Sequence, residues 1–168
     1  MLTGDWVTLR PVRPDDVPIL RSFLQHPSVG RWWGPVRPAV DVADDWLDAD
    51  ADTTVWTIEV DGAVAGSLQA SEESDPDYRH ASLDLFLGPD HQGRGLGADA
   101  VRTAARYLLE VRGHHRLTID PSAENERAIR TYERLGFRPV GRMRRYERGP
   151  DGTFHDGLLM DLLRDELR

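Results

Sequence analysis

The 168-residue sequence predicts one domain, residues 1–168, of mixed α+β class. Three observations carry that expectation. Two β-rich runs, 55–60 and 63–69, flank Asp61-Gly62, a dipeptide that favours a tight two-residue hairpin. Residues 82–87 alternate in polarity before Gly88-Pro89, and the glycine-rich segment 92–97 then leads directly into an alanine-rich helical start. A second hairpin, 137–147 and 153–163 about the turn 149–152, closes the chain. The length suits a single core.

In order along the chain, residues 6–9 read as a first strand, and Pro14-Asp15-Asp16 ahead of Val17, Ile19, Leu20, Phe23 and Leu24 predicts a short amphipathic helix ending near His26-Pro27. The following loop sets Trp32 beside Trp33 between Gly30 and Gly34-Pro35. Neighbouring side chains diverge, so one tryptophan is expected in the core and the other facing a ligand. Val42, Trp46 and Leu47 predict a second, acidic helix over 41–50. The acidic stretch 71–77 is either a solvated loop or a rim that attracts polyamines. From Gly97 a helix through Val101, Ala104, Ala105, Leu108 and Leu109 is expected to stop at Gly113, before the strand 116–119. His114-His115 read as a polar helix end, since adjacent residues cannot readily share one metal. Residues 125–135 predict another helix, closed by Gly136, and Arg138, Arg142, Arg144, Arg145 and Arg148 a solvated strand face. The order is strand, two helices, three strands, helix, strand, helix, two strands.

Composition narrows the chemistry. Cysteine is absent, which excludes disulfides, thiolate ligands and a cysteine nucleophile. All 21 basic residues are arginine, and against 29 Asp and Glu they leave a net charge of −8, which disfavours nucleic acid and favours a cationic partner. No apolar run suggests a signal peptide or a membrane span, so a cytoplasmic protein without a membrane partner is expected. No ligand pattern suggests a metal.

The stretch 82–97 carries the chemistry. Alternation places Leu83, Leu85 and Leu87 on one face of a strand and Ser82, Asp84 and Phe86 on the other, so Asp84 lies on a working face. Gly93, Gly95 and Gly97 let backbone N–H groups approach a ligand closely. The helix start that follows adds unpaired donors and a positive dipole end, an arrangement suited to a pyrophosphate. Gln92, Gly95 and Gly97, with Gly93 and Arg94 between them, match the Gln/Arg-x-x-Gly-x-Gly/Ala signature of the GCN5-related N-acetyltransferases (GNAT). The segment 119–137, with Asn125 after a strand and Tyr132 on the next helix, resembles that family's second half. Within the family the resemblance is closest to the aminoglycoside 6′-N-acetyltransferases and their siderophore-acylating relatives; it is best over 82–137, and Trp32-Trp33-Gly34 matches their tryptophan loop.

The resemblance implies a mostly antiparallel central sheet flanked by helices, in which the strands carrying Asp84 and Asp120 splay apart around an acyl-pantetheine. It implies acetyl-CoA as cosubstrate, held by Gln92, Gly93, Arg94, Gly95, Leu96 and Gly97, with Asn125 on the pantetheine, capping its own helix, or both. Asp84 and Asp120, with Trp32 or Trp33, would contact the acceptor. In a direct attack within a ternary complex, Asp84 would be the general base or an ammonium anchor. Backbone N–H groups near Phe86 and Leu87 would hold the oxyanion, and Tyr132 would either protonate the leaving thiolate or simply pack on the sheet. The acceptor expected is a small polycationic amine, foremost an aminoglycoside. The alternatives are a siderophore lysine, a protein N-terminus, or a non-catalytic CoA-binding module. A monomer or homodimer is expected.

Overall fold

Runs of alternating polarity pair into one twisted sheet. The computed structural model describes residues 1–33 and 46–168. Its strands are β1 (Leu2–Thr3), β2 (Thr8–Pro11), β3 (Thr53–Val60), β4 (Ala63–Glu73), β5 (His80–Leu87), β6 (Arg116–Ile119), β7 (Arg138–Arg148) and β8 (Phe154–Leu163). They are hydrogen-bonded in the order β1-β2-β3-β4-β5-β6-β8-β7, and β5 with β6 is the parallel pair among otherwise antiparallel ones. The Asp61-Gly62 turn forms as expected, with both residues at positive φ, 50° and 80°, as a tight hairpin with right-handed twist requires. β1 is a two-residue strand that sequence patterning did not indicate.

The helices bounded within the described residues are α1 (Asp16–Gln25), the single turn α2 (Pro27–Gly30), α3 (Leu96–Arg106) and α4 (Glu126–Leu135). α3 runs on into a π-helical turn, Tyr107–Val111, so the helix expected to reach Gly113 ends in a wider coil. Of the acidic helix expected over 41–50, residues 41–45 lie outside the described residues.

Both faces of the sheet are covered. On one, Leu9, Ile58, Leu68, Leu83, Leu117 and Leu162 pack with Ala100, Ala104 and Leu108 of the α3 segment and with Tyr132 and Leu135 of α4. On the other, Leu20, Leu24 and Val29 of α1 and α2 pack against Phe86, with Trp33 and Trp46 beside them. Buried polar groups fasten the edges. The Asp99 carboxylate on α3 accepts the N–H groups of Asp5, Trp6 and Val7 at 2.8–3.1 Å, tying the amino-terminal segment to the helix. The Arg10 guanidinium clamps Asp16 through two bonds of 2.6 and 2.9 Å and reaches Glu59, while the Thr57 hydroxyl donates to Asp16. This pairing holds the Asp16 carboxyl down at about 2, against the desolvation that would raise it.

Candidate active site

β5 and β6 pair only at Ala81–Leu117, Ser82–Thr118 and Leu83–Ile119. One residue further on, at Asp84 and Asp120, the strands part, while β5 continues to Leu87 along β4. The fork opens into two cavities that meet at Tyr132.

The first cavity, about 560 Å³, contains both aspartates and is bordered by Trp32, Trp33, Gln69, Tyr132, Tyr146 and Glu147. Among the described residues no arginine lines it, and three carboxylates share the space. Asp84 borders the open cavity, yet protein encloses the floor of the fork around it. Loss of solvent first, and the Asp120 and Glu147 charges after it, push its carboxyl up to about 7. Asp120 is raised by desolvation, an effect eased by the nearby Tyr146 hydroxyl, and Glu147 is raised by desolvation and by Asp120. The Tyr132 phenol is buried and has no hydrogen-bond partner among the described residues. Burial and the two aspartates raise it far above an ordinary phenol, so it stays protonated.

The second cavity, about 420 Å³, is a groove between β5, the glycine loop and α4. Gln92, Gly93, Gly95, Leu96 and Gly97 all border it, and its floor includes Phe86 and Leu87. Gly93 and Gly95 have φ of 80° and 83°, and Gly95 caps α3, whose first N–H groups lie at the groove. Gly88 donates to Ala65 of β4, so by the alternation of an antiparallel ladder Phe86 also turns its backbone to β4. Leu85 and Leu87 turn theirs to the open side. Of the backbone N–H groups near Phe86 and Leu87, those of Leu85 and Leu87 thus face the open side, while that of Phe86 faces β4. The Leu87 carbonyl is occupied by Gln92, whose side-chain amide donates to it at 3.1 Å. Asn125 caps α4, its Oδ1 accepting the Ala128 N–H at 3.2 Å, and it also borders both cavities. Arg94 is exposed and stands outside the groove lining.

The tryptophans do not divide into a core and a ligand-facing one: both are half-buried and border both cavities, Trp33 packing edge-on against Phe86 with ring centres 5.2 Å apart and Trp32 stacking with Arg31.

The acidic stretch 71–77 does not line the first cavity beyond Ser71. Alternation along β4 turns Glu72 away, to the buried His114 at 2.6 Å and to Arg112. His114 is therefore a packed partner of Glu72, not a solvated helix end. The third carboxylate comes instead from Glu147 on β7, the strand whose arginines were expected to form a solvated face.

Sequence reasoning also missed Arg127, Arg130 and Arg134, which border the groove at i, i+3 and i+7 along α4. Their helical spacing was the available signal. They face the glycine loop across the groove and give an anionic cosubstrate positive charge on its second wall.

The GNAT acetyltransferase domain family matches residues 7–138. Spermidine N(1)-acetyltransferase of Escherichia coli K12 is 30% identical over 141 residues, covering 82% of this chain and 75% of that protein. Aminoglycoside N(6′)-acetyltransferase type 1 of Klebsiella pneumoniae is 31% identical over 157 residues, covering 83% and 77%. The solved structure of AAC(6′)-Ib, determined with paromomycin and acetyl-CoA and with ribostamycin and coenzyme A, shares the fold at a TM-score of 0.77 and 28% identity over 96% of both chains. The family match runs from the residue before β2 to the first residue of β7 and so includes both strands of the fork: the chain belongs to the GNAT acetyltransferase family and uses acetyl-CoA as its cosubstrate.

Proposed function

We propose that the protein acetylates a primary amine of a small polycationic acceptor, an aminoglycoside or an aliphatic polyamine, by direct attack in a ternary complex. One observation carries this reading: Asp84, Asp120 and Glu147 border one cavity, and no basic side chain lines it among the described residues. Such a site is complete only with cationic ligand groups, and each satisfied ammonium–carboxylate contact contributes on the order of 1 kcal/mol or more. Three contacts separate a polyamine from a monoamine by powers of ten in affinity. The named activities of the Escherichia coli and Klebsiella relatives agree with this acceptor class.

The groove residues fit acetyl-CoA: Gly93 and Gly95 expose backbone donors, the start of α3 adds its unpaired N–H groups, and Arg127, Arg130 and Arg134 supply charge opposite. Acetyl-CoA brings the activated acyl group and a thiolate leaving group. Asp84, titrating at about 7, takes a proton from the acceptor ammonium directly or through water, freeing the nitrogen to attack the thioester carbonyl. The Leu85 and Leu87 N–H groups stabilise the oxyanion without reorganising. Tyr132, at the junction of the two cavities, donates its proton to the departing sulfur. As the oxyanion collapses and the C–S bond breaks, the adduct nitrogen gives up its second proton, which passes through solvent to restore Tyr132; the amide and CoA thiol leave, and Asp84 releases the first proton to solvent.

A panel of spermidine, an aminoglycoside with free amines, lysine and an N-terminal peptide, assayed for CoA release and product mass, tests the acceptor. The polycations are expected to give the highest kcat/KM. Faster turnover of lysine or the peptide would refute the acceptor class and leave the transfer chemistry standing.

A further inference from the structure

Two residues of the acceptor cavity reach it through a break in strand alternation. Met143 of β7 faces Gly157 and Glu147 faces His155, so three residues of β7 stand opposite the single residue Asp156 of β8. Arg145 takes a left-handed φ of 50° in this bulge. Tyr146 and Glu147 are neighbours that a regular strand sends to opposite faces, yet both border the cavity.

β8 holds the irregularity in place. The Asp156 carboxylate accepts the Arg145 N–H at 2.8 Å and the Arg142 Nε–H at 2.7 Å. Gly157 is buried and leaves the room that the Tyr146 ring and Met143 occupy: a Cβ at that position would lie 3.0 Å from Tyr146 Cδ1 and 3.1 Å from Met143 Cε. The same segment also fastens the loop after β6. The Ala123 N–H donates to the Asp156 carbonyl at 2.8 Å, and the Leu158 N–H donates to the Pro121 carbonyl at 2.9 Å. One short stretch of β8 thus ties the loop following Asp120 to the bulge that presents Tyr146 and Glu147. The Tyr132 phenol, nine-tenths buried and without a partner among the described residues, borders the same cavity and marks it independently as a place for a ligand.

We propose that Asp156 and Gly157 are positioning residues for the acceptor, setting the spacing of Asp120, Tyr146 and Glu147 across the cavity. The inference rests on the reading of that cavity as the acceptor site. It is tested by calorimetric titration of spermidine and of paromomycin into the protein–CoA complex, with acceptor and acetyl-CoA KM values measured in parallel. Asp156→Ala should weaken polycation binding about tenfold, the loss expected when one charge-assisted hydrogen bond no longer holds the bulge. The CoA affinity should stay within about twofold. Asp156→Asn keeps an acceptor oxygen for the Arg145 N–H and should recover most of the affinity despite the lost charge. Gly157→Ala should raise the acceptor's KM with no change of charge at all.

Unchanged polycation affinity in both alanine variants would overturn the proposal. So would an Asn variant as weak as the Ala variant, which would make Asp156 a charge contact, or a parallel loss of CoA binding, which would make its role generally structural. A wild-type protein that binds polycations with the expected variant pattern but transfers no acetyl group would refute the activity and uphold the positioning role. Binding of neither polycation would refute both.

Discussion

Replacing Asp84 by Asn should remove a pH limb that its surroundings create. The carboxyl is pushed up from 3.8 to about 7 because the surrounding fork, although Asp84 is exposed to the open cavity, strips solvent from it and sets it beside Asp120 and Glu147. Its ionised fraction is then about one half at pH 7, about a tenth at pH 6 and about a hundredth at pH 5. A base in that state makes kcat/KM fall tenfold per pH unit below neutrality, whereas an ordinary carboxylate would give no limb above pH 5. The assay is CoA thiol release at subsaturating spermidine from pH 5 to 9. Asp84→Asn should flatten the limb and lower the rate at pH 8 by about 10²–10⁴. The same shift has a stability consequence of definite sign. The folded carboxyl titrates above its unfolded value, so the native state loses stability as pH rises from about 4 to about 7. The melting temperature of Asp84→Asn should exceed that of wild type by a margin that widens over this window and is constant above it. A variant that keeps the limb, or the full rate at pH 8, would refute the assignment of Asp84 as base.

Gly95→Val should weaken CoA binding in calorimetry while the protein still melts cooperatively; φ is 83° there, and a branched residue in the left-handed region costs on the order of 1–2 kcal/mol and crowds the groove. Tyr132→Phe should leave both KM values near wild type and lower kcat in single-turnover measurements, because a proton given to the thiolate is needed only on the way to products. Asp16→Asn should destabilise the fold by about 3–5 kcal/mol in urea at pH 7, leaving the Arg10 guanidinium buried with Glu59 alone. In wild type the Asp16 contribution is complete above the usual carboxylate range and is lost as pH falls from about 4 to about 2, so the variant's deficit should shrink in that window.

The strands around the fork were legible because their signals are local. Asp61-Gly62 specifies its own turn, and Asn125 and Gly136 bound α4 by capping. Asp84 was legible because it lies on a short alternating run, and Asp120 only through the family resemblance; that both border one cavity follows from β5 and β6 parting after Leu83 and Ile119, a long-range event. Glu147 was hidden for a different reason. The arginines of β7 read as a solvated face, and the bulge at Arg145, where the Asp156 carboxylate of β8 accepts the Arg145 N–H, breaks the alternation that would send Tyr146 and Glu147 to opposite faces. Of the two readings of the acidic stretch 71–77, the rim fails at Glu72: the side-chain direction on β4 gives it to His114, which is 1% exposed. Charge is written in composition; the face it occupies depends on register.

The central claim is that the amine and acetyl-CoA occupy two cavities meeting at Tyr132, so that the acetyl group passes directly between them. Initial velocities with spermidine and acetyl-CoA varied together test it most directly. Intersecting double-reciprocal lines, with no CoA released in the absence of amine, are expected of transfer within a ternary complex. Parallel lines, together with a stoichiometric burst of CoA and an acetylated protein formed before any amine is added, would contradict it.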